Sequence, residues 1–86
     1  MVWQLSDPYG VEEDIEAMGA EIWRVWLDDV LPVLLSDPTA SNQTLTIEQT
    51  TNDLVWLPGT DVYVRFELIS DKYILLIGAV NLRDLT

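Results

Sequence analysis

The sequence predicts an α+β fold in one domain spanning residues 1–86. It consists of an N-terminal helical hairpin packed on one face of a mainly antiparallel sheet, ordered β-α-α-β-β-β or close to it. Three observations carry this expectation. Apolar residues recur at helical spacing between Val11 and Leu35. Val62, Val64, Phe66 and Leu68 alternate with Tyr63, Arg65 and Glu67, the period of a strand with one wet face. Tyr73 to Val80 is then an almost unbroken apolar run of strand length.

Each element follows in order. Val2 to Leu5 alternates weakly and reads as a short strand that ends in the turn Ser6-Asp7-Pro8. Val11, Ile15 and Met18 share one helical face, and Glu12, Glu13, Asp14 and Glu16 fill the remaining positions, where carboxylates favour the helix dipole. Gly19 sits where a two-helix hairpin would turn. The second helix carries two apolar stripes, Ile22, Trp26, Val30, Leu34 and Trp23, Leu27, Leu31, Leu35, which together predict a wide buried face. Pro32 removes one helical hydrogen bond, so a kink or restart is expected there. Ser36-Asp37-Pro38 ends the helix, because the residue before a proline avoids the α region. A polar loop from Thr39 to Gln43 leads to strands at Leu45–Glu48 and Leu54–Leu57, the latter closed by the turn Pro58-Gly59-Thr60. After the alternating strand at Val62, Ser70-Asp71-Lys72 makes a tight connection into the final run. That run reads as a central strand covered on both faces, with Asn81 to Thr86 leaving the sheet.

Composition narrows the chemistry. Eighty-six residues, 49% apolar and with four Trp, build a single core. With no Cys and no His, the chain has no disulfide, no thiolate or imidazole metal ligand, and none of the commonest general bases. Neither a metal nor a cofactor is expected. Met1 to Asp7 lacks a basic start and a long apolar stretch, so it does not read as a signal peptide, and no run approaches the ~20 apolar residues of a membrane span. A cytoplasmic location is the expectation. Fifteen acidic against four basic residues give a net charge of −11, a field that repels nucleic acid and anionic lipid and attracts basic partners. The ordinary reading of such a charge is a well-solvated surface.

The opening strand ending in Ser6-Asp7-Pro8, a hairpin closed by Leu34-Leu35-Ser36-Asp37-Pro38, and two closing strands resemble the RelE/ParE superfamily of bacterial toxin–antitoxin proteins. Tyr63-Val64-Arg65-Phe66 matches that family's Tyr and Arg pattern in the first closing strand. Val80-Asn81-Leu82-Arg83 matches its Val-Gly-His-Arg-like end. The resemblance covers most of the chain and lies in order and spacing. It implies a toxin–antitoxin component, and in ribonuclease members a basic face with a Tyr or His. Here Leu82 stands at the His position and both helices are acidic, so the only candidates for a weak, ribosome-dependent messenger endoribonuclease are Arg65, Tyr73 and Arg83. The plainer account of Arg65 and Arg83 is surface pairing with Glu67 and Asp84.

Other motifs read as ordinary structure. Glu12, Glu13, Asp14 and Glu16 form an acidic face without the spacing of a calcium loop, and no His is present to activate a Ser or Thr. Asn42-Gln43-Thr44 matches a glycosylation sequon by coincidence. Trp23 and Trp26 belong to the core, and Trp3 and Trp56, on short strands, are candidates to anchor a partner. At least one indole is expected to be partly exposed. The favoured function is non-catalytic protein binding, with Trp3, Trp56, Tyr63, Arg65 and Arg83 as contact residues. The partner is another protein, small or basic, or a second copy in a homodimer; neither nucleic acid nor membrane is expected. The alternative is an acidic inhibitor that imitates nucleic-acid charge in the basic groove of a DNA- or RNA-acting enzyme.

Overall fold

The computed structural model describes residues 3–39, 47–49, 53–70 and 72–85. The expected strand residues Leu45 and Thr46, the sequon and most of the polar loop lie outside them. The fold is α+β. Strand β1 (Gln4–Ser6) leads into helix α1 (Val11–Ala17), and a second helical stretch follows as α2 (Ala20–Val25), a π-turn (Trp26–Val30) and α3 (Leu31–Ser36). Four strands come next: β2 (Ile47–Gln49), β3 (Asp53–Trp56), β4 (Val62–Ile69) and β5 (Tyr73–Asn81), and a 3-10 turn (Leu82–Leu85) ends the description. All five strands named along the sequence are present, one more than the four of the shorthand order.

Local chemistry explains the boundaries. Both carboxylate oxygens of Asp7 accept backbone N–H groups at the start of α1, from Val11 at 2.7 Å and Glu12 at 2.9 Å. Two donors that a helix start leaves unpaired are thereby satisfied. Gly19, at φ 127°, takes a conformation closed to most side chains and separates α1 from α2. The disturbance expected at Pro32 extends into the turn before it. The backbone widens into a π-turn over Trp26–Val30, and Pro32 then sits in the first turn of α3, where its missing N–H costs nothing. In the turn between β3 and β4, Thr60 N donates to the Leu57 carbonyl at 3.1 Å, with Pro58 and a positive-φ Gly59 (75°) at the centre.

The sheet has the order β1-β5-β4-β3-β2. It is antiparallel except for β1 against β5, which run parallel through Leu5 opposite Ile74. The β4–β5 register shifts by one residue: Arg65 faces Gly78, but Phe66 faces Leu76, so Ile77 is extra. This bulge keeps Ile74 and Leu76 on one side of it, and Ala79 on the other, all on the core face.

 Ala79 and Leu68 accordingly pack against the buried cluster, while their neighbours along each strand do not.

That cluster is the core. Val11, Ile15, Trp26, Val30 and Leu34 from the helices meet Val55, Leu57, Val62, Val64, Phe66, Ile74 and Leu76 from the sheet. The helical residues of the core therefore all meet the same face of the sheet. Two expectations are corrected. The second stripe of the long helical segment is only half-buried at Trp23, Leu31 and Leu35, and Leu27 is exposed, because the π-turn rotates the segment so that Trp26, Val30 and Leu34 take the core. Strand β5 lies inside the sheet, between β1 and β4, but the described residues cover it on one face only. No described helix remains to cover the other.

Candidate functional site

The uncovered face of the sheet gathers most of the residues singled out in the sequence. Cross-strand partners share a face, so β-register alone places Leu54 and Trp56 of β3 beside Arg65 and Tyr63 of β4. The same rule sets Gly78 and Val80 of β5 beside Arg65 and Tyr63 on the other side. Further along, Leu75 faces Glu67 and Tyr73 faces Ile69. Leu54, Trp56, Tyr63, Leu75, Ile77 and Val80 are half-buried, and none of them packs against the core cluster. Ile69 and Tyr73 are each 44% exposed, far more than the core residues one position away.

Two features organise this face. Trp56 and Tyr63 stack at 4.9 Å between ring centroids with 54° between planes, a tilted aromatic pair that holds both rings in place. Beside them Arg65 is exposed, flanked by Leu54 and by Gly78. Its expected pairing with Glu67 is absent: among the described residues Arg65 has no salt-bridge partner. Gly78 leaves a notch next to it. A Cβ built at Gly78 meets nothing within 4 Å, and its φ is not positive, so neither crowding nor backbone geometry inside the chain requires a glycine there.

The remaining candidates sit elsewhere. Trp3 precedes β1, is half-buried against the core, and donates its backbone N–H to the Leu35 carbonyl at 2.8 Å. Arg83 follows β5 and pairs with Asp61, Nε to Oδ2 at 2.9 Å, instead of with Asp84. With Glu21, Ile22 and the Pro58-Gly59 turn it lines a shallow groove of about 630 Å³ at the end of the sheet. Arg65 and Tyr73 share the open face, but Arg83 lies beyond the opposite end of β5 from Tyr73, roughly 27 Å away along the strand. The three residues of the ribonuclease alternative therefore do not converge.

The acidic face of α1 divides in two. Glu13, Asp14 and Glu16 are exposed, but Glu12 is half-buried and its Oε2 accepts the indole N–H of Trp26 at 2.8 Å. Among the described residues, no three carboxylates gather as a metal site would require. No described helix is long and apolar enough to cross a membrane. One carboxyl departs from its ordinary behaviour: partial burial, and then the nearby Glu67, raise the pKa of Asp53 above the usual 3.8.

No family model, curated protein or solved structure matches this chain.

The sequence pattern concealed the site in one respect. An apolar run such as Tyr73–Val80 looks the same whether its second face is covered by the chain's own helices or by another molecule. The glycine inside the run was the available signal, since an interior strand glycine marks a bulge or a close approach.

Proposed function

We propose that this chain is a cytoplasmic protein-binding domain without chemistry of its own, a component of the toxin–antitoxin kind suggested by the sequence resemblance, and that the open face of the sheet is its contact surface. One observation carries the reading. Leu54, Trp56, Tyr63, Leu75, Ile77 and Val80 form a contiguous apolar surface outside the core, in a chain whose remaining surface is strongly acidic. A Trp and a Tyr in tilted ring contact beside an Arg are the residue types that dominate binding energy at protein interfaces. The notch at Gly78 lets another molecule approach the sheet backbone closely.

The test is capture from the native host at low salt followed by stepwise washing to high salt, run in parallel with wild type and Gly78→Gln. The substitution keeps the net charge and fills the notch, and its Cβ meets no atom of the chain within 4 Å. A protein held by the wild type through high salt and lost from the variant supports the reading, because apolar burial survives salt. A basic nucleic-acid enzyme that elutes early and is retained equally by the variant contradicts it and supports the charge mimic. Ribosomal components retained through high salt by both forms contradict it in favour of the ribonuclease.

A further inference from the structure

We propose that the molecule seated on the open face is a second copy of this chain, joined sheet to sheet about a two-fold axis. The inference rests on the reading of that face as a contact surface and adds the identity of its occupant.

Charge distribution supplies the first argument. Glu13, Asp14, Glu16, Glu21, Asp28 and Asp29 are exposed on the helical layer, against Arg24, which is already paired with Asp28 at 3.7 Å. The open face carries one exposed cation, Arg65, and one exposed anion, Glu67, among its described side chains. A basic partner would be drawn to the helical layer. The described charged side chains of the open face balance, and it is where a second acidic chain can approach. Stacked sheets sit about 10 Å apart, which puts the two helical layers on opposite outer surfaces, roughly 30 Å from each other. That is several times the ~8 Å screening length of physiological salt, so the net −11 on each copy opposes the pairing only weakly.

Register supplies the second argument. A two-fold axis lying between the sheets and crossing β4 at Phe66 sets Arg65 opposite the partner's Glu67, and Glu67 opposite the partner's Arg65. The same operation sets the Gly78 notch opposite the partner's Leu75. It also brings Tyr63 over the partner's exposed Ile69, and Val80 over the partner's exposed Tyr73. Cation thus meets anion, the notch meets a side chain, and Tyr63 and Val80 meet the exposed apolar end. The right-handed twist rotates facing strands by about 30°, and the contacts near the axis survive that rotation.

Area sets the strength. Strands β4 and β5 run roughly 27 Å and β3 about half that, which at ~4.8 Å per strand presents about 300 Å² in projection. Side-chain relief raises this toward the ~600 Å² a side at the lower end of stable interfaces. The dimer is accordingly expected to dissociate in the micromolar range.

Sedimentation of the purified chain over a concentration series tests this, with folding of every variant checked by circular dichroism. The wild-type dimer is expected to persist as salt rises, since apolar burial drives it and the acidic layers stand far apart, whereas a complex with a basic partner weakens. Gly78→Gln is expected to lower the association constant at least about tenfold, a loss of ~1.4 kcal/mol. Arg65→Glu and Glu67→Arg are each expected to weaken the dimer, and the two together to restore it. A wild type that stays monomeric throughout overturns the inference, as does a dimer indifferent to Gly78→Gln or one that the double charge swap fails to restore. A monomer that captures another protein in a Gly78-sensitive manner removes the second copy but leaves the open face as the contact surface. A monomer whose captured proteins ignore Gly78→Gln removes both.

Discussion

The indole of Trp26 is fully enclosed, and the carboxylate of Glu12 accepts its N–H at 2.8 Å. A buried donor that loses its acceptor bears the full cost of its desolvation. Glu12→Ala is therefore expected to destabilise the fold by about 1–3 kcal/mol, and Glu12→Gln, which keeps an acceptor oxygen, by much less. Urea unfolding followed by tryptophan fluorescence measures both; equal losses would mean that the bond to the indole contributes little. Asp53 acts in the opposite sense. Its pKa in the folded state is raised, by burial first and by Glu67 second, so the folded chain holds that proton to higher pH than the unfolded chain does. Stability from this group is complete below the unfolded value and falls as pH rises through the folded one. Asp53→Asn is thus expected to raise the melting temperature at neutral pH, with the gain shrinking as pH falls into and below the ordinary carboxylate range. A gain that persists unchanged in acid would contradict this account of Asp53.

At the scale of elements, much of the architecture was legible because local rules and tertiary packing agree. The Asp7 turn, the break at Gly19, the stop at Asp37-Pro38 and the Pro58-Gly59 turn are each set by a residue whose backbone or capping chemistry admits few alternatives. Alternation in β4 gave its buried face correctly at Val62, Val64 and Phe66. What could not be read depended on longer-range choices. Proline announces a disturbance but not its form, and here the helix absorbs it as a π-turn upstream of Pro32 that turns Leu27 outward. The one-residue bulge opposite Arg65 and Phe66 is invisible to a pattern that counts apolar residues, because Leu76 and Ile77 are equally apolar. The same blindness made β5 look covered on both faces. Of the candidate contact residues, Trp56, Tyr63 and Arg65 were brought together by strand pairing, while Trp3 and Arg83 fell near other elements because short strands and chain ends leave their positions to packing.

The whole molecule is divided into two layers of different character. Acidic side chains crowd the helical layer, the core fills the space between helices and sheet, and the described side chains of the far face are mostly apolar and aromatic, with one cation and one anion. An α+β domain with one sheet face open normally presents polar residues there, since antiparallel sheets solvate their free side. This one presents Trp56, Tyr63, Leu75, Ile77 and Val80 instead, around an Arg with no described salt-bridge partner and a glycine with no internal reason. Those properties fit a contact surface better than a catalytic one. The most direct test is to follow backbone and indole N–H resonances of the purified chain by NMR from the high to the low micromolar range. Changes confined to Trp56, Arg65, Ile77, Gly78 and their neighbours are the expected result. Resonances that do not move, or that move on the acidic helices around Glu13, Glu16 and Asp29, would contradict the assignment of the open sheet face as the surface through which this chain binds its own kind.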